Sequence, residues 1–361
     1  MTQPTARTAK STRSPAKGRS PAAKSRGTVN GAAVVPPAAS GAASNGAAAA
    51  SGAAANGAVA SGAAANGAVA NGAVATSAAN GKPDVWDRRV AGALAFLRRR
   101  LTGQYDVDEF GFDPDLTDTF LYPMLRLLYR RYFRTDVDGV DNVPRRGSAL
   151  IVANHSGTLP VDALMLSVAV HDETPDHRHL RLLGADLAFR LPVLSEIGRK
   201  AGVTLACNPD AERLLRNGEL VGVFPEGFKG IGKPYRSRYQ LQRFGRGGFV
   251  SAALRTRTPI VPAAIVGAEE IYPIIGNLKP LARITGIPYF PVTPTFPWLG
   301  PLGLLPLPSK WHIEFGEPIE TEPYADEADD PMVVFNLADQ VRETIQASLR
   351  RLLDHRPDPF A

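Results

Sequence analysis

The chain has 361 residues, 44% of them hydrophobic, with a formal net charge of +6 at pH 7. That is enough apolar material for a sizeable core, and the single cysteine, Cys207, excludes an internal disulfide and fits a reducing compartment. The positive balance is not a property of a basic fold: residues 1–83 hold eight basic and no acidic residues, which leaves 33 basic against 35 acidic in the remainder.

Residues 1–83 are dominated by Ala, Gly, Ser and Asn, in units such as GAVASGAAANGAVANGAVA that carry no large apolar side chain. Folding could not recover its entropy cost from such units, so the segment reads as a disordered tail. Its charge suits anionic lipid and nucleic acid alike, and charge by itself does not choose between them. No continuous apolar segment follows the first basic residues, so a secretory signal is not expected. No window offers the roughly 20 apolar residues of a membrane-spanning helix.

Val90, Leu94, Leu97 and Leu101 fall on one helical face, with Arg88, Arg89, Arg98, Arg99 and Arg100 around it, which predicts a basic amphipathic helix. Residues 118–133, DTFLYPMLRLLYRRYF, predict a second one in which Phe120, Leu121, Met124, Leu125 and Leu128 cluster. Such helices either pack on the main domain or lie on a membrane surface. From about residue 136, short strands alternate with helices. Strands are predicted at 149–153, 220–224, 260–266 and 311–315, and helices at 162–170, at 186–202 with a break or start near Pro192, and at 210–217 before Gly218. Leu337, Val341, Ile345 and Leu349 add a C-terminal amphipathic helix. This alternation argues for an α/β fold with a central sheet flanked by helices. Residues 287–308 are uncharged but contain seven prolines, so they read as an irregular wall or a lipid-facing surface rather than a helix.

Two stretches carry candidate chemistry. In SALIVANHSGTLPVD an apolar strand delivers Asn154 and His155, and Asp162 follows seven positions after the histidine. The pair reads either as a packed turn or as a general base with the carboxylate that fixes its tautomer. In LVGVFPEGFKG another strand ends in Phe224, Pro225, Glu226 and Gly227, with Lys229 beyond, and ligands of α/β sheets gather at such carboxyl ends. Cys207 has no evident base beside it and reads as structural. His171, His177 and His179, with Asp172, Glu173 and Asp176, read as a polar surface loop, and no metal site is expected.

Three ordered blocks, residues 137–162, 223–230 and 258–270, resemble the glycerolipid acyltransferase superfamily, which includes the lysophosphatidic acid acyltransferases. They are similar to its Asn-His…Asp motif, its Phe-Pro-Glu-Gly block and its later Ile-Val-Pro strand. The resemblance implies an acyltransferase domain at 136–320 with a mixed central sheet, preceded by amphipathic helices at 84–135 and followed by an extension at 321–361. It implies His155 as general base oriented by Asp162, and a substrate site built from Asn154, Phe224, Pro225, Glu226, Gly227 and Lys229. An acyl chain would pass from acyl-CoA or acyl carrier protein, the co-substrate, to a lipid alcohol, with no other cofactor. The protein is then expected on the cytoplasmic face of a membrane, bound peripherally, with lipid rather than nucleic acid as its partner. Nothing in the sequence indicates the oligomeric state.

Two departures stand out. The family's usual Asp lies five positions after the His, and here the interval is seven with Pro160 inside it; Cys207 stands where a phosphate-facing arginine is usual. With the stretch at 243–273, both look closer to the branch of monoacylglycerol and diacylglycerol acyltransferases and plant phytyl ester synthases. A lysophosphatidic acid acyltransferase and a non-catalytic lipid-binding member of the fold are the alternatives.

Overall fold

The computed structural model describes residues 85–103, 105–157, 159–189, 192–245, 247–356 and 358–360, so the tail read at 1–83 lies outside the described residues. Nine strands follow in chain order: β1 (Asp136–Asp138), β2 (Ala149–Ala153), β3 (Leu180–Gly184), β4 (Thr204–Leu205), β5 (Leu220–Val223), β6 (Ile260–Val266), β7 (Gly276–Asn277), β8 (Pro291–Val292) and β9 (His312–Phe315). Seven of them form one sheet in the order β1-β9-β6-β2-β5-β3-β4, and β7 pairs with β8 separately. Every pairing in the large sheet is parallel except β6 with β9, so the sheet is mixed.

Strand β2 is at the centre, and its sequence explains why. Ala-Leu-Ile-Val-Ala has no polar side chain, and all five residues are buried, as a parallel strand covered on both faces requires. Ala149, Ile151 and Ala153 point into one core with the helix α2 (Val161–Glu173), while Leu150 and Val152 point into a second core behind the sheet. Helix α3 (Pro192–Lys200) follows the Pro192 break. The second core is closed by α4 (Asn208–Arg216), α5 (Gly248–Thr256) and the long C-terminal helix α6 (Pro331–Asp354), through Leu214, Leu254, Val341 and Ile345.

Ahead of the sheet, Val85–Thr102 is a helix, and residues 114–132 are helical with two π-turns, Thr117–Leu121 and Leu128–Tyr132. The second segment buries Tyr122, Leu125 and Tyr129 on the first core and leaves Phe120, Met124 and Leu127 more than half exposed. Leu94, Leu97 and Leu101 are also exposed, so the apolar stripe predicted for the first helix has no protein partner among the described residues. No helix of the described residues is long and apolar enough to cross a membrane.

Sequence reading missed β3. Its alternation is broken by Arg181, which is 1% exposed and carries a charge that usually marks a surface. Here the charge is neutralised by Asp108 at 2.7 Å, and its guanidinium lies 4.6 Å from the Phe112 ring centroid. Residues 287–308 hold one strand, β8, and a 3-10 turn at Gly300–Leu304. Thr293 and Gly303 are buried there, while Trp298, Leu299, Leu302 and Leu305 are exposed, so the segment is both wall and surface.

Candidate active site

The three central strands each send a loop toward one point at their carboxyl ends. Asn154, the first residue beyond β2, is fully buried and acts as an extra rung of the sheet. Its Nδ2 donates to the Ile265 carbonyl (3.0 Å), and the Ile265 N–H donates to its Oδ1 (2.7 Å). This ties the end of β2 to β6 and commits both polar atoms of the Asn154 side chain to the sheet.

His155 follows at once. Its backbone N–H donates to Glu226 Oε1 (3.0 Å), which reaches across from the loop after β5. Glu226 Oε2 accepts the Gln242 N–H (2.7 Å) and lies 3.3 Å from Lys233 Nζ. Sequence reading put Glu226 in the wall of the substrate site. Its side chain is instead fully buried with both oxygens occupied by protein donors, so it holds the His155 backbone in place.

Lys233 Nζ also donates to Glu269 Oε1 (3.0 Å), from the turn after β6, which completes a buried Glu-Lys-Glu row. Burial pushes the Glu269 carboxyl up to about 7; the adjacent Lys233 pulls it the other way and Glu226 adds to the rise. A proton on Glu269 makes the row neutral, the cheaper state for three groups out of water. Lys233 and Glu269 were not singled out from the sequence. The one available signal was the placement of Glu269 directly after an apolar strand; their meeting is a tertiary event.

The His155 imidazole faces Asp162, with Nδ1 to Oδ2 at 2.7 Å. Asp162 stands in the first turn of α2, fully buried, and its carboxylate accepts two further bonds: the Ser156 N–H on Oδ2 and the Ala163 N–H on Oδ1, both 2.8 Å. Both carboxylate oxygens thus accept from fixed backbone N–H groups, which turns the carboxylate toward the imidazole as an acceptor. The proton between the two side chains therefore belongs to Nδ1, which leaves Nε2 with a lone pair, the tautomer a general base needs. The longer interval between them is taken up by a turn through Gly157, whose φ of +80° is costly for any residue with a Cβ.

Gly230 fits equally closely. A Cβ there would sit 2.8 Å from both Glu226 Cβ and the His155 carbonyl oxygen. Phe224 lays its ring 4.7 Å from the His155 ring, centroid to centroid. Pro225 and Gly227 are half-buried in the turn below, and Lys229 is exposed on its outer side. A cleft of about 540 Å³ opens beside this turn, between Phe228, Ala185, Asp186, Ala206 and residues 286–288. Among the described residues lining it, Asp186 is the one charged side chain.

The acyltransferase family model matches residues 134–266, the span from the strand β1 to the end of β6. The uncharacterized protein Rv0502 of Mycobacterium tuberculosis is 61% identical over 286 residues, covering 79% of this chain and 80% of its own. The chain belongs to the glycerolipid acyltransferase superfamily. Another relative of this acyltransferase, the uncharacterized protein ML2427 of Mycobacterium leprae, is 61% identical over 76% of this chain and 75% of its own. A more distant one, from Gallus gallus, is described as a DGAT1/2-independent enzyme synthesizing storage lipids; it is 25% identical over 52% of this chain and 53% of its own. Among solved structures, the 1-acyl-sn-glycerophosphate (LPA) acyltransferase PlsC of Thermotoga maritima aligns with a TM-score of 0.45 and 16% identity, over 75% of this chain and 98% of its own.

In this acyltransferase the cysteine at the usual arginine position is the N-cap of α4. Burial raises the Cys207 thiol above its ordinary value, with neighbouring Asp210 and Asp186 adding to the effect and one backbone hydrogen bond opposing it. A thiol held protonated is neither a nucleophile nor a charge for phosphate. The histidine-rich stretch departs from its sequence reading: His171 is 8% exposed, on the last turn of α2, and is no surface loop residue.

Proposed function

We propose that this acyltransferase moves a fatty acyl group from acyl-CoA or acyl carrier protein to the hydroxyl of an uncharged lipid alcohol, with His155 as general base. The reading is carried by one observation: His155 Nδ1 meets Asp162 Oδ2 at 2.7 Å in spite of the longer interval. His155 Nε2 takes the proton as the acceptor oxygen attacks the thioester carbonyl. The tetrahedral intermediate then collapses, the C–S bond breaks, and the imidazolium returns its proton to the departing thiolate. Asp162 supplies the fixed negative charge that favours the imidazolium, so no covalent acyl-enzyme is needed.

Two features support an acceptor without phosphate. Among the described residues, the cleft beside this turn carries Asp186 as its one charged side chain, and a phosphomonoester binds best to fixed cations; the Cys207 thiol, raised above its ordinary value by burial, supplies no charge either. The distant relative from Gallus gallus is named as an enzyme synthesizing storage lipids. Lys229, exposed on the turn, is the candidate that would rescue a phosphate acceptor. For docking, the exposed Phe120, Met124 and Leu127 and the uncharged Trp298 to Leu305 stretch offer apolar contact to a bilayer on its cytoplasmic face, without a spanning helix.

The test is acyl transfer from palmitoyl-CoA and palmitoyl carrier protein to a panel of lipid alcohols and lysophosphatidic acid, with products identified by mass. His155→Ala is expected to lower turnover by roughly 10²- to 10⁴-fold with the fold intact. A folded His155→Ala protein with near-normal turnover refutes the base. A preference for lysophosphatidic acid that is lost in Lys229→Ala refutes the uncharged acceptor.

A further inference from the structure

The second polar cluster lies at the far end of α2. Asp118 comes from the π-turn Thr117–Leu121, His171 from the last turn of α2, and His179 from the approach to β3. Asp118 Oδ1 is 2.8 Å from His179 Nε2 and 3.5 Å from His171 Nε2. One ligand atom from each of the three residues lies within 4.8 Å of the others.

The surroundings orient these atoms. His171 Nδ1 is 3.1 Å from Asp172 Oδ1, and Asp172 is in turn held by Arg126 at 2.6 Å and Arg130 at 2.9 Å. Asp172 accepts the proton of Nδ1 at 3.1 Å, a closer contact than the Arg126 Nη2 at 3.4 Å from the same nitrogen, and in that tautomer the Nε2 lone pair faces Asp118. That is the carboxylate–imidazole arrangement that accompanies metal-bound histidines. The Tyr122 ring stacks 5.9 Å from the His179 ring and lies 4.6 Å from the His171 ring, which fixes both planes.

With that tautomer, two electron-rich atoms, Asp118 Oδ1 and His171 Nε2, face each other, and something positive must lie between them. A proton is one solution, and a divalent cation is the other. Ligand atoms at tetrahedral zinc, with bonds near 2.0–2.1 Å, are about 3.3 Å apart. The 3.5 Å separation fits that spacing, and the 2.8 Å one opens by a small rotation of the half-exposed Asp118. Solvent access on the Asp118 side leaves room for ion entry and for a fourth, water ligand.

We propose that Asp118, His171 and His179 bind one divalent cation of the zinc class, which ties the helical segment 114–132 to the end of α2. The donor set, two imidazoles and one carboxylate, suits zinc and excludes calcium or magnesium, which take all-oxygen sites. The histidines stood out in the sequence, but their partner Asp118 is remote from them in the chain and only the fold brings it to them. The site is separate from the His155–Asp162 pair, so the proposal stands or falls independently of the acyl-transfer reading.

The experiment is zinc titration of the untagged full chain after chelator treatment, read by bound metal per chain, by competition with a chromophoric chelator and by thermal unfolding. One zinc per chain is expected, with a rise in Tm. Asp118→Asn and His179→Ala should each weaken binding by at least tenfold and abolish the rise in Tm. Asp172→Asn should weaken it by about 10- to 100-fold, as loss of an orienting carboxylate does. His312→Ala, which removes a half-buried histidine paired with Asp138 elsewhere on the protein, should bind as wild type. No zinc uptake by the wild type at micromolar free zinc, or uptake unchanged in both Asp118→Asn and His179→Ala, overturns the site.

Discussion

Asp162→Asn changes one atom in a pocket where both carboxylate oxygens are engaged. The carboxylate accepts from His155 Nδ1 and Ser156 on Oδ2 and from Ala163 on Oδ1. Asparagine can offer its oxygen to one side only. With the oxygen toward Ala163, the new NH₂ meets the Ser156 N–H head on and drives the imidazole proton from Nδ1 to Nε2, the atom that receives the substrate proton in the proposed reaction. With the oxygen toward His155, the tautomer survives but the NH₂ faces the Ala163 N–H, and the imidazolium loses its counter-charge. Either way one buried donor goes unmatched, at a cost of about 1–3 kcal/mol in stability. Turnover should fall by roughly 10²- to 10⁴-fold, equivalent to about 2.7–5.4 kcal/mol in the barrier. The assay is the initial rate of lipid ester formation from radiolabelled palmitoyl-CoA, beside circular dichroism and Tm of the same preparation. A folded Asp162→Asn enzyme within about threefold of wild type would show that the carboxylate does not act through the imidazole.

Gly230→Ala should displace the His155 backbone, because its Cβ would lie 2.8 Å from the His155 carbonyl oxygen; we expect about 1–3 kcal/mol of destabilisation and a loss of turnover, and unchanged activity would refute the contact. Glu269 has a folded value near 7 against an ordinary 4.5, so folding takes up a proton between those two values. The stabilisation is present below pH 4.5 and is lost as pH rises through 7, a change on the order of 3 kcal/mol. Glu269→Gln should flatten that part of the stability profile from chemical denaturation, and parallel profiles would refute it. Phe120→Asp with Met124→Asp, both on exposed positions, should lower flotation with phosphatidylglycerol vesicles by roughly tenfold with Tm little changed; undiminished flotation would place the lipid contact elsewhere.

The parts of this site that a sequence reveals are those whose cause is local. An uninterrupted apolar pentad marks the central strand, and the motif after it marks His155 and Asp162. Glu226 was legible as a site residue but not in its role, since the donors that occupy it, the N–H groups of His155 and Gln242, come from loops that only the sheet brings together. Lys233 and Glu269 were hidden for the same reason. Arg181 misled in the other direction: its charge argued against a buried strand, and its tertiary partners, Asp108, Glu219 and the Phe112 ring, explain how the fold tolerates it. The predicted apolar cluster at 118–133 is split in the structure, with Leu125 buried and Phe120 and Met124 exposed, so periodicity identifies apolar positions without saying what covers them.

The seven-residue interval between His155 and Asp162 bears on how such enzymes are found and altered. Each member of the pair is anchored by its own element, His155 by the end of β2 and Asp162 by the start of α2. The loop between them is a spacer whose length the chemistry does not read. A search pattern written with a fixed interval would pass over this chain, whereas one written as two anchored ends with variable length would retain it. Within the spacer, Ser156 and Gly157 are committed to the dyad by the bond to Asp162 and the turn, whereas the exposed Leu159 is the position at which a reporter side chain can be introduced beside it.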